Sequence, residues 1–264
     1  CDIWADIVTL AVYENTLAPN GATLVALVAK ANKALKSCKD LGEAMGSDFA
    51  RTLSAPNASN DAIYDLVMWS ITLTEAQIVP GLELPENAHA LLPALWHYLA
   101  TYSIPEPRLH PEGANNLAAY DGCYLATHIA YVPTGYGRYP LEVAQAPWLH
   151  RYLRENFYTV LELGELDLVA EFVDLFRQYG CTEDNDRQLR DGSRHLLGLY
   201  RTAGNKWMAH RESYESVESN PYDLIHKPWT AVAGLRHRVF ETIREDNYGG
   251  YVRKAIRPAP GQTP

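Results

Sequence analysis

Apolar residues recur at helical spacing over most of the chain, in runs separated by short polar, proline- or glycine-bearing breaks. This periodicity predicts a first helix over 2–15, ended by the stretch APNG, and a longer second helix over 22–44. TLSAPNASND reads as a loop, with Asp61 as N-cap of a helix running to Gln77. After VPGLELPEN, the segment 88–102 is helical and bends near Pro93. The three prolines in 103–114 make that segment irregular, and Asn115 or Asn116 caps the helix that carries His128. Pro147 opens a helix to residue 163 at the favoured first position, and Gly164 stops it. An amphipathic helix over 165–179 ends in a glycine C-cap, and another helix covers 184–201. ESYESVESNPYDLIHK reads as an acidic loop, after which Pro228 opens the last helix.

Alternating runs flanked by hairpin turns are absent, so the fold is all-α, with about nine helices joined by short connections in antiparallel hairpins. Segments 85–102 and 116–132 are apolar on most sides, whereas 165–179 has a polar face; the contrast suggests inner and outer layers. At the level of architecture the pattern resembles the α/α-toroid folds of glycan-acting lyases and hydrolases and of terpenoid cyclases. The resemblance implies a partial or complete toroid of helical hairpins, an irregular helical bundle being the alternative. One helical domain is expected over 1–255 and a disordered tail over 256–264.

Composition narrows the partners. A net charge of −9 without any Lys/Arg cluster argues against nucleic acid. The longest apolar runs, such as LVALVA, fall far short of the ~20 residues of a membrane span. Four cysteines without a CxxC disfavour a zinc knuckle. Cys1 and Cys38 can meet across the first hairpin, a bridge that would imply an oxidising compartment. Cys123 reads as a small buried hydrophobe. Cys1 also fits a lipid-anchored terminus; the placement favoured over a secreted or anchored one is soluble and cytoplasmic.

The chemistry centres on His128. Asp121, Tyr124, Leu125 and His128 share a helical face, and the following Thr134-Gly-Tyr-Gly-Arg138 loop supplies a hydroxyl, the Tyr136 phenol and the Arg138 guanidinium. In toroid lyases a His or Tyr moves the proton while Asn or Arg neutralises a carboxylate, and the set Asn115 or Asn116, His128, Tyr136 and Arg138 resembles that inventory. His226, placed just before a predicted helix N-terminus with Trp229 and Thr230, would meet an anion or a polarised oxygen there. His210, Glu212 and His226 have the two-His-one-carboxylate composition of a mononuclear metal site, which would take a transition metal as cofactor. His97, following Trp96 in an apolar helix, is expected in the core.

Two functions follow. The first is an enzyme with a cup at helix ends, an acid/base lyase, hydrolase or tailoring enzyme acting on a polar glycan, peptide or small molecule. Its working groups would be His128, Tyr136, Arg138 and His226, with Asn116, Asp121, Tyr124, Thr134, Trp229 and Thr230 binding substrate. The second is a non-catalytic module of helical hairpins that presents a binding surface.

Overall fold

The structure, a computed structural model, describes residues 1, 3–46, 48–55, 58–107, 117–135, 137, 139–204, 207 and 221–236, and for 117–120, 221–226 and 236 the backbone alone. The described residues are helical without strands, as the periodicity predicts. Helices α1 (Trp4–Leu17), α2 (Ala22–Leu35), α3 (Leu41–Met45), α4 (Phe49–Ser54), α5 (Asn60–Ala76) and α6 (Ala88–Leu99) belong to one compact unit. Helices α7 (Leu117–Thr134), α8 (Pro147–Leu163), α9 (Leu166–Gln178), α10 (Arg187–Thr202) and α11 (Pro221–Arg236) form a second, with a short 3-10 turn at Val143–Gln145.

In the first unit α1 packs on α2 and α5. Trp4 is fully buried and stacks on Trp69, their centroids 6.2 Å apart. The predicted second helix is two helices. After Leu35 the chain turns through Cys38, and α3 starts afresh at Asp40, whose carboxylate accepts from the Glu43 N–H. Cys38 is bridged to Cys1, with a Cα–Cα distance of 4.8 Å. Ser59, rather than Asp61, caps α5 by accepting from the Ala62 N–H. Asn32 staples the loop after α5 by donating to the Gly81 carbonyl and accepting from the Glu83 N–H, both at 2.9 Å.

The bridge closes a loop across 37 positions, for which chain entropy gives a stabilisation of about 3–4 kcal/mol. Reduction is therefore expected to lower the melting temperature of the first unit by several degrees, and Cys38→Ser should reproduce the loss without reductant. Differential scanning calorimetry with and without reductant checks both.

In the second unit α9 is the central helix, in contact with α7, α8, α10 and α11. The polar face read from the sequence as an outer layer is not solvated: Asp167, Glu171, Asp174 and Gln178 are all buried. The approach of α11 to α9 is close because Gly234 lies on Ala170, where an added Cβ would stand 2.7 Å from the Ala170 oxygen. Arg177 ties the two helices together, its Nε–H donating to the Gly234 carbonyl at 2.7 Å and its guanidinium pairing with Glu183. Pro228 does not open the last helix. The same first-position preference is met seven residues earlier by Pro221, and Pro228 lies inside α11.

Candidate functional site

Spacings of four, three and four place Asp167, Glu171, Asp174 and Gln178 on one face of α9. Carboxylates in that setting are costly unless paired or protonated. At the C-terminal end of the row the Gln178 amide donates to Asp174 at 2.7 Å; before the row begins, Lys227 of α11 lies 3.4 Å from the carboxylate of the N-cap Glu165. The N-terminal half of the row, Asp167 and Glu171, meets α7.

There, positions 124, 127 and 128 supply three polar groups within one helical turn. The Tyr124 hydroxyl reaches Asp167 at 3.4 Å. The fully buried Thr127 places its Oγ1 2.6 Å from Glu171 Oε2, 2.9 Å from the Tyr124 carbonyl and 3.2 Å from His128 Nδ1. His128 Nδ1 lies 2.8 Å from the same Tyr124 carbonyl. A carbonyl can only accept, so Nδ1 carries a proton, and in the neutral ring the lone pair is then on Nε2. The half-buried imidazole meets Tyr131 edge-on at 5.7 Å and Tyr124 at 6.5 Å, which fixes its plane.

Burial first, then the Asp167 and Asp174 charges, push Glu171 well above its ordinary value of 4.5, against the opposing Thr127 hydrogen bond. Burial and the same acid row push the Tyr124 phenol up as well. Cys123, buried one turn before Thr127 on α7 and beside the Tyr152 hydroxyl, has its thiol pushed up to about 12 by burial, so it stays a neutral core group.

The sign for stability follows from Glu171. An acid with a raised folded value binds more protons folded than unfolded. Its contribution is complete below pH 4.5 and is lost as pH rises through the raised value. Glu171→Gln, which copies the protonated form, is expected to be more stable than the wild type at pH 8. The advantage should shrink toward pH 5. Urea denaturation across that range checks it. Glu183 has the opposite sign: the Arg177 hydrogen bond lowers it to about 2, so its contribution is lost on acidification below 4.5.

Of the residues picked from sequence, His128 and Tyr124 fall in this seam, and Asp121 is exposed one turn before it. Thr134 is fully buried. Its hydroxyl donates back into α7, at 3.1 Å from the Ala130 carbonyl, and accepts from the Gly137 N–H at 3.2 Å. It therefore holds the turn rather than a ligand. Gly135 and Gly137 have φ of 56° and 81°, so glycine is required there by the left-handed backbone itself. Trp229 is 64% exposed and Thr230 3%, so the two do not share a binding surface.

The anion site expected at a helix start near His226 is also displaced. His226, Trp229 and Thr230 lie inside α11, where backbone N–H groups are used by the helix. The His226 side chain, and Asn115, Asn116, Tyr136, Arg138, His210 and Glu212, lie outside the described residues, and with them the metal set. Among the described residues no three His, Cys, Asp or Glu side chains are grouped to hold a metal. No described helix is long and apolar enough to cross a membrane. His97 is exposed rather than in the core.

Sequence reasoning missed Thr127, Asp167, Glu171 and Asp174. Their signal was present: the acids repeat along one helical face without a Lys or Arg four residues away to pair with them. Comparison with protein-family models, with curated proteins and with solved structures finds no match to this chain.

Proposed function

We propose that the second unit is an acid/base catalyst of the lyase or hydrolase type, acting on a polar glycan, peptide or small molecule, with His128 as its base. The observation that carries this reading is the fixed tautomer. Nδ1–H is committed to the Tyr124 carbonyl, and the ring that presents Nε2 is only half buried. Beside it Tyr124, its phenol held protonated and directed at Asp167, lines the same side of the helix. Thr127 and Glu171 back the pair from inside the fold. The toroid-type layering belongs to the same proposal and is supported by hairpin packing of consecutive helices, α1 with α2, α8 with α9, and α9 with α10. The Cys1–Cys38 bridge supports an oxidising compartment in place of the cytoplasmic one.

Diethyl pyrocarbonate tests the assignment without a known substrate, because it acylates accessible neutral imidazole. Peptide mapping is expected to find His128 modified at neutral pH. Modification should also remove any turnover found in a screen of uronate oligosaccharides, blocked peptides and aryl esters. The exposed His97 is the internal standard. A His128 still unmodified when His97 has reacted completely overturns the reading.

The alternative, a binding module, is supported by the first unit. Ile3, Leu10, Tyr13 and Leu17 lie along one side of α1 and all are exposed, as is Val25 on α2. On this reading Leu10→Glu with Leu17→Glu leaves stability within about 0.5 kcal/mol, as surface changes do. The double variant should also abolish concentration-dependent association in sedimentation velocity. A wild type that is monomeric at all concentrations removes self-association as the use of this face.

A further inference from the structure

We propose that Glu171 is a positioning residue for His128, acting through Thr127 as a protonated carboxyl group. The inference rests on the reading of His128 as the working base and assigns how that base is held. Thr127 Oγ1 has a single hydrogen and three polar neighbours: the Tyr124 carbonyl at 2.9 Å, Glu171 Oε2 at 2.6 Å and His128 Nδ1 at 3.2 Å. The carbonyl can only accept. Nδ1 already carries a hydrogen, directed at that same carbonyl 2.8 Å away. The contact of 2.6 Å with Glu171 and the contact with the carbonyl are both satisfied only if Glu171 brings a proton of its own. Glu171 O–H then donates to Thr127 Oγ1, Thr127 O–H donates to the Tyr124 carbonyl, and a second lone pair of Oγ1 faces the Nδ1–H edge of the ring.

The surroundings agree with a neutral carboxyl group. Among the described residues, the charges that raise Glu171 are those of Asp167 and Asp174 on its own helix. From α7 it faces Thr127, with Tyr124 and His128 beside it. Among the described side chains of α11, Lys227 lies 3.4 Å from Glu165. Carboxylates gathered on one buried face do not all ionise, and Glu171 has the closer hydroxyl, Thr127 at 2.6 Å against 3.4 Å between Tyr124 and Asp167.

A neutral Glu171 has a definite consequence. It holds the tautomer without adding a negative charge that would make the imidazole cationic, so His128 keeps the neutral form a base needs. Imidazole 15N shifts of His128, followed from pH 5 to 9 in the whole chain, test this. The wild type is expected to show the Nδ1–H tautomer. Glu171→Gln, whose amide donates to Thr127 as the protonated acid does, should retain that tautomer and move the His128 midpoint by less than about 0.3 pH units. Thr127→Val should shift the tautomer ratio about fivefold toward Nε2–H, the effect of one net hydrogen bond, and Thr127→Ser should restore it. A Glu171→Gln midpoint lower by a full pH unit would mean that an ionised carboxylate had been removed, and overturns the proposal. So does a Thr127→Val spectrum identical to wild type. The readout needs no substrate: an inert protein with the expected shifts sinks the catalytic reading alone, and an active one without them sinks only this inference.

Discussion

Phe176→Ala is expected to cost the second unit about 4 kcal/mol, the range for truncating a buried aromatic residue. Phe176 is fully buried on α9 and meets the Phe157 ring of α8 at 5.3 Å. The Arg154 guanidinium stands over its other side, 4.1 Å from the ring centroid. That guanidinium is a junction in its own right. It pairs with Asp186 at 2.7 Å, donates to Gln188 at 2.9 Å and to the Cys181 sulfur at 3.0 Å, and so joins α8 to the start of α10. Removing the ring opens a cavity and also removes the surface that orients the arginine, so the loss should exceed that of an ordinary core leucine. Phe176→Leu, which keeps most of the volume, should cost about 1–1.5 kcal/mol. Urea denaturation followed by tryptophan fluorescence and by circular dichroism checks both. An alanine variant within about 1.5 kcal/mol of wild type would show that the central helix is not the keystone of this unit.

The same helix marks where the sequence stops being informative. Helix α8 is legible at both ends because its signals are local: Pro147 has no N–H to lose at the first position, and Gly164 takes the left-handed conformation that stops the helix, with φ of 69°. The break between α2 and α3 was not legible, since the residues on either side keep helical spacing. What ends the run is a cap formed by Asp40 and a covalent bond to Cys1, a partner 37 positions away. Pro228 misled for a related reason: two prolines satisfy one rule, and only packing decides that the helix starts at Pro221. The polar face of α9 is the most instructive case. Amphipathicity reports that a face is polar, not that water lies against it. Here the face is covered by a helix that brings a threonine and a tyrosine to it, and α9 contributes buried acids instead of a solvated edge. Of the candidate site, His128 and Tyr124 could be found from helical spacing alone. Their buried partners are some forty residues further along the chain.

His128→Asn is expected to lower turnover by about 10²–10⁴-fold, the contribution of a positioned general base, while leaving the melting temperature within a few degrees of wild type. Asparagine is the informative replacement. Its side-chain N–H can donate to the Tyr124 carbonyl as Nδ1–H does, so the hydrogen bond that ends inside α7 is kept while the basic Nε2 is deleted. Alanine removes both, and the added loss of stability measures what the Nδ1 bond alone contributes, about 1 kcal/mol. A structural histidine and a catalytic one therefore diverge in this pair of variants. If His128 serves only packing between Tyr124 and Tyr131, asparagine destabilises about as much as alanine and turnover follows the folded fraction. If it is the base, asparagine separates the two readouts, with kcat collapsing in a protein that unfolds at its usual temperature. The acid limb of the kcat/KM profile should then be absent from the residual activity, because the group whose protonation shuts down the wild type is gone. A residual rate that still falls below neutral pH would place the base elsewhere.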